Sequence, residues 1–394
     1  MKKLSLFTLV SLVVSGPLLA TDFSGYLAVE AAVFPNDAQF ENQFDANLTL
    51  SFKPRWQGDW NDGDDNWSAE LFFRADGKDD ERQHVDVREL MWLHLDGDSE
   101  WRVGFNTMFW GVTESQHLVD VINQVDAVEG VDGEDKLGQP MIHWKRYEDW
   151  GVVDLLILPG FRERSFYAEE GRLRHPLVVD ADLAEFESSD EEKHIDLAMR
   201  YSQTFGDLDL GLSWFDGTNR DPVFIPRTAN NITVLVPYYG QMTQFGIDAL
   251  LIYENWIWKL ELIHRNQRAG DYNAFTYGFE YTFYGINESD VDLGSIVEFS
   301  YDSRRDGERG VFDRDLFVGG RFAFNDEKSS EILAGLFFDT DNGSQSFRVE
   351  GSRRVGDNLK LSLELQTFSR IDPDDPLQAF SDDDFIQMEA AWYY

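Results

Sequence analysis

An all-β fold, a transmembrane antiparallel up-and-down β-barrel of about 18 strands (16 to 20), is what this sequence predicts, and three observations predict it. Apolar and polar residues alternate with period two along nearly the whole chain, no apolar run reaches the length of a spanning helix, and short and long connections alternate in step with the strand count.

The chain opens with Lys2 and Lys3, runs apolar from Leu4 to Val14, and then meets Gly16, Pro17 and the small residue Ala20. This order of charged, apolar and small residues is that of a secretory signal, with cleavage expected after Ala20. Leu18 is an imperfect residue two places before that site. Residues 1–20 are therefore read as a signal peptide and 21–394 as a single barrel domain. The apolar core of the signal is roughly half of the ~20 residues that a membrane-spanning helix needs. The mean hydropathy of the whole chain, −0.40, looks like that of a soluble protein. Transmembrane barrels give the same weak signal, because polar lumen residues dilute every strand.

From Trp67 to Ala75 one face reads Trp67, Ala69, Leu71, Phe73, Ala75 and the other Ser68, Glu70, Phe72, Arg74. Phe44, Ala46, Leu48, Leu50 and Phe52 alternate with Asp45, Asn47, Thr49 and Ser51; Phe275, Tyr277 and Phe279 alternate with Thr276, Gly278 and Glu280; Leu359 to Leu365 alternate with Lys360, Ser362 and Glu364. In order, the strands fall near 24–34, 42–54, 66–77, 84–96, 99–109, 138–147, 150–159, 193–205, 207–216, 240–254, 256–269, 273–284, 292–302, 315–325, 329–340, 343–354, 358–370 and 382–394. An even count puts both chain ends on one side, and barrels carry short turns on that periplasmic side and longer loops outside. Gly206, Asn255, 325–328 and 355–357 fall in the short turns, whereas 110–137, 160–192, 217–239, 303–314 and 371–381 are the long outer links. The acidic stretch 56–66 is the exception, a longish connection on the turn side.

Composition narrows the function. Lys and Arg total 34 against 73 Asp and Glu, a formal charge of −39 that becomes −41 once Lys2 and Lys3 leave with the signal, so nucleic acid is not an expected partner. There is no cysteine, hence no disulfide framework, zinc-thiolate site or thiol nucleophile. The 12 Trp, 14 Tyr and 31 Phe suit interfacial girdles.

The last strand sets Met388, Ala390, Trp392 and Tyr394 on one face and ends on an aromatic residue, which resembles the C-terminal signal read by the outer-membrane insertion machinery. Taken whole, the mature chain resembles the porin-like outer-membrane barrels of Gram-negative bacteria, in pattern rather than identity. The segments RVGFNTMFWG (102–111) and HLVDVINQVD (117–126) look like parts of uncharacterised barrel families distantly reminiscent of porins. The resemblance implies an outer-membrane location, contact with outer-membrane lipid and lipopolysaccharide, delivery by barrel-assembly machinery through the strand ending in Tyr394, passage of small polar or cationic solutes, and room for a homo-oligomer.

A barrel of this size leaves an aqueous channel. The lumen face carries Glu70, Arg74, Asp86, Arg88, Arg102, Asp196, Arg200, Asp248, Lys259, Glu261, Arg265, Glu280, Glu298, Arg321, Arg348, Glu350 and Glu364. Between Gly111 and Gly138 the third outer loop shows near-helical spacing of Leu118, Val119, Ile122 and Val125, then the acidic tract EGVDGEDKLG. In porins the third outer loop folds inward, so the resemblance implies that residues 112–136 form a constriction in which Asp120, Asp126, Glu129, Asp132, Glu134 and Asp135 oppose Arg74, Arg88 and Arg102. Such an arrangement gives a transverse field that favours cations. The plainer alternative is a solvated external loop with one short helix.

DGEDK invites a calcium reading but lacks the spaced acids of an EF-hand, so no metal site and no cofactor is expected. His264 shares its face with Trp258, Leu260 and Leu262 but lacks a neighbouring serine nucleophile, and the pair Asp79 and Asp80 beside His84 is one of many acidic neighbours. No catalytic motif stands out. The chain is read as a channel rather than an enzyme, with a barrel hydrolase or a non-conducting adhesive barrel as alternatives.

Overall fold

In a strand buried on one side by lumen packing and facing lipid on the other, period-two patterning forces every second side chain outward, and a closed cylinder is the arrangement that leaves no backbone edge unpaired. The protein, described here from a computed structural model, takes that form over residues 21–229, 231–304, 310–311 and 313–394. The segment read as a secretory signal lies outside the described residues.

The barrel strands are β1 (Thr21–Val33), β2 (Ala46–Trp60), β3 (Asp65–Asp76), β4 (Val85–Asp96), β5 (Ser99–Asn106), β6 (Gln139–Glu148), β7 (Gly151–Pro159), β8 (Ile195–Phe205), β9 (Leu208–Thr218), β10 (Gln241–Tyr253), β11 (Trp256–Gln267), β12 (Tyr272–Phe283), β13 (Asp292–Asp302), β14 (Asp315–Ala323), β15 (Glu331–Asp339), β16 (Gln345–Val355), β17 (Leu359–Ser369) and β18 (Phe385–Tyr393). Each pairs antiparallel with its neighbours in sequence, forming one 18-stranded sheet. Closure comes from β1 against β18, with Ala28 opposite Ala391 and Tyr26 opposite Tyr393. Tyr394 then donates its backbone N–H to the Gly25 carbonyl at 3.2 Å and sets its ring, tilted, 5.1 Å from that of Phe23.

All 18 predicted strands are present, and one connection on the short-turn side resolves differently. The stretch 56–66 is not a long turn: β2 continues to Trp60 and β3 begins at Asp65. Pro54, which has no N–H, interrupts the β2–β3 ladder between Phe52↔Phe73 and Arg55↔Glu70, after which pairing resumes. That interruption made the strand look finished in the sequence.

Leu27, Val29, Leu48, Leu50, Leu197, Leu336 and Met388 are exposed and form an apolar belt, as lipid contact requires. Phe23, Trp101, Trp150, Tyr253, Tyr284 and Trp392 crowd the end with the short turns, where an aromatic girdle sits at the headgroup level. No helix among the described residues is long and apolar enough to cross a membrane; crossing is done by strands, in the outer-membrane manner.

Two features go beyond the alternation. A bulge shifts the β3–β4 register between Glu70 and Leu71, so that Glu70 faces Glu89 while Leu71 faces Val87. The extra residue turns Arg88 and Glu89 both inward, where Glu89 meets Ser68 and Arg55. At the outer end, Val223–Ala229 and Ile232–Tyr239 make an antiparallel hairpin, and Glu185–Phe186 adds to it in parallel. Residues 217–239 and 185–192, read as open loops, are in part this small sheet.

Candidate functional site

The third outer loop, residues 107–138, enters the lumen. Its approach depends on Gly111, whose φ of +144° is open to glycine and whose missing Cβ leaves room for the Glu261 carboxylate. That carboxylate, on β11, accepts the backbone N–H of Val112 (2.7 Å), Thr113 (3.1 Å) and Val119 (3.1 Å) and the Thr113 hydroxyl (2.7 Å). On β13, Glu298 accepts the N–H groups of Glu114 (2.9 Å) and Ser115 (2.8 Å) and the Ser115 hydroxyl (2.6 Å). Both wall acids are buried, and both are used up in holding the loop.

The helix expected from the spacing of Leu118, Val119, Ile122 and Val125 is absent; the segment is a series of turns. Backbone groups that a helix would pair internally are taken by the wall and by other loops: Glu261 has the Val119 N–H, and the Arg220 guanidinium donates to the Ile122 carbonyl at 2.9 and 3.1 Å. The apolar residues still find a dry surface. Val119, Val121 and Ile122 pack with Trp110 against Met141, Leu156, Leu158, Phe215, Met242 and Ile263, which face inward from β6 to β11. Six of the eighteen strands thus contribute to an apolar dock for the loop, a feature not anticipated from the strand pattern.

Past this dock the acidic tract crosses to the opposite wall. Arg88 Nη2 meets Asp126 Oδ2 at 2.5 Å and its Nη1 donates to the Lys136 carbonyl at 2.6 Å. Arg74 Nη2 meets Glu129 Oε2 at 2.6 Å and its Nη1 meets Glu30 at 3.1 Å. Asp126 and Glu129 are buried in these pairs, together with His84, whose Nε2 lies 3.3 Å from Asp126. Burial works to raise the Asp126 carboxyl, yet the hydrogen bond from His84 and the Arg88 charge hold it well below the usual range. His84 shifts up: burial opposes its charge, and the hydrogen bond and charge of Asp126 and the charge of Glu129 outweigh it. Asp79 is tied to the backbone N–H groups of Glu81, Arg82 and Ala168, so it forms no couple with His84.

The remaining predicted residues separate. Asp120 pairs within the loop, with Lys136 at 3.1 Å. Glu134 meets His117 at 2.6 Å. Asp132 reaches Arg348 on β16 at 2.7 Å, and Arg348 also holds Glu350 (2.6 Å) and Glu364 (3.1 Å). Asp135 faces the lumen water, where the surrounding protein and then the charges of Glu129 and Asp132 push its carboxyl up to about 6. Arg102 stands apart from the loop, paired with Glu100 on its own strand at 2.8 Å. A contact that the sequence reading missed is Glu114 with Arg321 on β14, at 2.7 Å. Arg321 and Arg348 were legible as lumen residues; only the path of the loop makes them its partners.

Side chains that keep access to water here are Glu114, Asp132, Glu134 and Asp135 from the loop and Arg321, Arg348, Glu350 and Glu364 from the wall. Above them the fourth outer loop, residues 160–194, spans part of the mouth. Its buried Arg172 meets Asp383 at 2.5 Å and the Asp382 carbonyl at 2.7 Å, under the Phe34 ring. A small cavity of about 30 Å³ lies between this loop, the loop tip at Glu129 to Val131, and the wall at Ala32, Asn47 and Phe385.

No family model matches the chain, and no curated protein matches it. Among solved structures, the chain is similar to a loop L8 deletion mutant of OmpT, an outer membrane protein of Vibrio cholerae, at 11% identity and a TM-score of 0.49, over 95% of this chain and 99% of that one. The trimer form of OmpT gives 10% and 0.46 over 95% and 99%. A triple mutant of the Rhodopseudomonas blastica porin gives 12% and 0.45 over 95% and 100%.

Proposed function

We propose that this outer-membrane barrel is a channel for passive diffusion of small polar solutes, with a preference for cations, and that its third outer loop forms the constriction. One observation carries the reading: the loop crosses the lumen and leaves six water-accessible acids, Glu114, Asp132, Glu134, Asp135, Glu350 and Glu364, around two arginines, Arg321 and Arg348. A narrow passage with low-dielectric walls concentrates that field, drawing cations and orienting dipolar solutes between the acidic and basic sides. Asp126 and Glu129 act differently in this reading. Neutralised by Arg88 and Arg74, they fix the loop rather than set selectivity.

Diffusion needs neither a catalytic group nor a cofactor. Delivery by barrel-assembly machinery through the strand ending in Tyr394, lipopolysaccharide around the loop end, and association of copies in the membrane belong to the same reading.

The test is single-channel recording in planar bilayers under symmetric and then asymmetric KCl, with the mature chain and a variant lacking residues 129–136. Stable steps with a cation-selective reversal potential are expected from the intact chain, and larger, less selective steps from the deletion. A barrel that inserts, shows heat-modifiable β structure and stays silent in both forms would overturn the channel reading; equal steps in both would overturn the role of the loop.

A further inference from the structure

We propose that residues 168–176 of the fourth outer loop form a lid over the mouth of the passage, held shut by a clasp between Arg172 and Asp383. The lid rests on the channel reading and supplies its regulation, since a cover that lifts decides when the constriction below can be entered.

The fourth outer loop leaves the sheet at Pro159 on β7, reaches β1 and β18 on the far side of the ring, and returns to β8 at Ile195. Its outgoing leg is tied down: Arg162 meets Asp86 at 2.6 Å, and the Ser165 hydroxyl donates to Asp126 at 2.5 Å. Its returning leg pairs with the outer hairpin, where the Leu235 N–H donates to the Val178 carbonyl and the Asp180 N–H to the Leu235 carbonyl, both at 2.9 Å. Between the legs the tip overhangs the lumen. The small cavity separates it from Glu129 to Val131 of the third loop and from the wall at Glu364, one of the acids of the proposed passage.

Three features make the tip a unit that can lift. It is braced within itself: Arg174 Nε donates to the Glu169 carbonyl at 2.9 Å, and its Nη1 to the carbonyls of His175 (2.8 Å) and Pro176 (3.1 Å). Its hold on the far wall is concentrated in one fully buried residue. Arg172 Nε meets Asp383 Oδ1 at 2.5 Å, its Nη2 donates to the Asp382 carbonyl at 2.7 Å, and its guanidinium lies 4.7 Å from the centre of the Phe34 ring. The other holds are weaker: Arg172 with the exposed Asp45 at 3.6 Å, Gln43 to the Gly171 carbonyl at 2.7 Å, the Phe44 N–H to the Glu170 carbonyl at 3.4 Å, the Ala168 N–H to Asp79 at 3.2 Å, and the His175 ring 4.4 Å from that of Phe224. Losing one partner of a buried ion pair costs far more than losing a single neutral hydrogen bond, so Arg172 dominates.

The third feature is strain at the clasp. Leu173 has a φ of +61°, a left-handed conformation that a bulky side chain keeps only where its surroundings impose it. Here Asp383 Oδ2 takes its N–H at 3.0 Å, and its side chain packs on the cluster of Ala32, Phe34 and Phe385. Release of Arg172 from Asp383 frees Leu173 to relax, which favours the lifted tip. The legs stay bound to β4, the third loop and the hairpin, so the mouth opens on the side of β18 and β1.

Because the chain has no cysteine, a thiol placed under the tip reports opening without background. Ala32→Cys sets one on β1 in the cluster that Leu173 covers, at a buried position. Its reaction rate with a water-soluble maleimide is measured on the folded mature barrel in detergent. The variant is used alone and combined with Arg172→Met, with Asp383→Asn, or with Lys193→Gln, a control on the same loop outside the clasp. Slow labelling is expected alone and in the control, and labelling about tenfold or more faster in both clasp variants, since local opening sets access to a buried group. In single-channel records of the cysteine-free chains, the clasp variants should dwell longer in a larger-conductance state than wild type, with the heat-modifiable shift of the barrel retained. Should Arg172→Met fail to fold, Asp383→Asn carries the comparison. Fast labelling of Ala32→Cys alone, or equal rates in all the variants, overturns the clasp. Faster labelling with unchanged currents overturns the gate. Currents absent from every form overturn the channel reading itself, and the gate with it, whatever the labelling rates.

Discussion

Asp126 shows how much a single buried charge depends on its partners. It is fully buried, with Arg88, His84 and Ser165 around its two oxygens. Arg88→Met keeps the bulk of the side chain and removes the charge, leaving the carboxylate short of its main counter-ion. Breaking a buried pair in this way costs about 3–5 kcal/mol. The expected outcome is a lower urea midpoint for the folded barrel, with a smaller loss in Arg88→Met/Asp126→Asn. The same cluster sets a pH window. His84 has a raised value in the folded state, so its contribution is full below the ordinary 6.5 and fades as pH rises through the raised value. Asp126 has a lowered value, so its contribution is full above the ordinary 3.8 and fades as pH falls through the lowered one. Hydrogen-exchange protection of residues 126–136 should therefore be greatest between 3.8 and 6.5, and His84→Ala should remove the loss on the alkaline side. An unchanged profile in that variant would place the pH response in another group.

The third outer loop is held as an element by three different forces. Glu261 and Glu298 satisfy its backbone amides, the dock on β6 to β11 removes its apolar side chains from water, and Arg74, Arg88 and Arg348 fix its acidic tract. A segment without regular structure survives in the lumen because its polar backbone is paired by the barrel. Ile122 sits at the centre of the dock, fully buried. Ile122→Ala should weaken docking by about 2–5 kcal/mol, the range for such truncations in a packed core. In bilayer recordings this is expected as flickering between conductance levels, while the heat-modifiable shift of the barrel persists. The β4 bulge serves the same element, since without its extra residue Arg88 and Glu89 could not both face inward.

At the scale of the whole molecule, the barrel is an inverted globule, with its apolar belt outside and ion pairs within. The two faces should respond in opposite ways to charge. Leu50→Arg on the belt is expected to lower stability by about 2–4 kcal/mol, as a midplane arginine facing lipid does. Glu350→Gln on the lumen wall, half in water, should stay within about 0.5 kcal/mol of wild type. Folding titrations into lipid vesicles measure both. Comparable losses at the two positions would contradict the assignment of faces.

The strand count, the inward and outward faces, the alternation of turns with loops, and the lumen charges could all be read from the residues. Each depends on a period of two or on the parity of one chain, and both are local properties of sequence. Leu48 and Leu50 against Asn47 and Thr49 is legible without knowing any neighbour. What tertiary structure alone decided was partnership. Glu261 and Glu298 looked like pore-lining acids and are anchors, Asp132 finds Arg348 across 216 residues of sequence, and Arg102 remains with Glu100. The apolar dock was hidden because Met141, Leu156 and Ile263 lie on different strands and meet only when the cylinder closes. Likewise Asp315 and Asp339 are two unremarkable acids until the register sets them opposite each other. Periodicity fixes which way a side chain points, and closure of the barrel fixes what it points at.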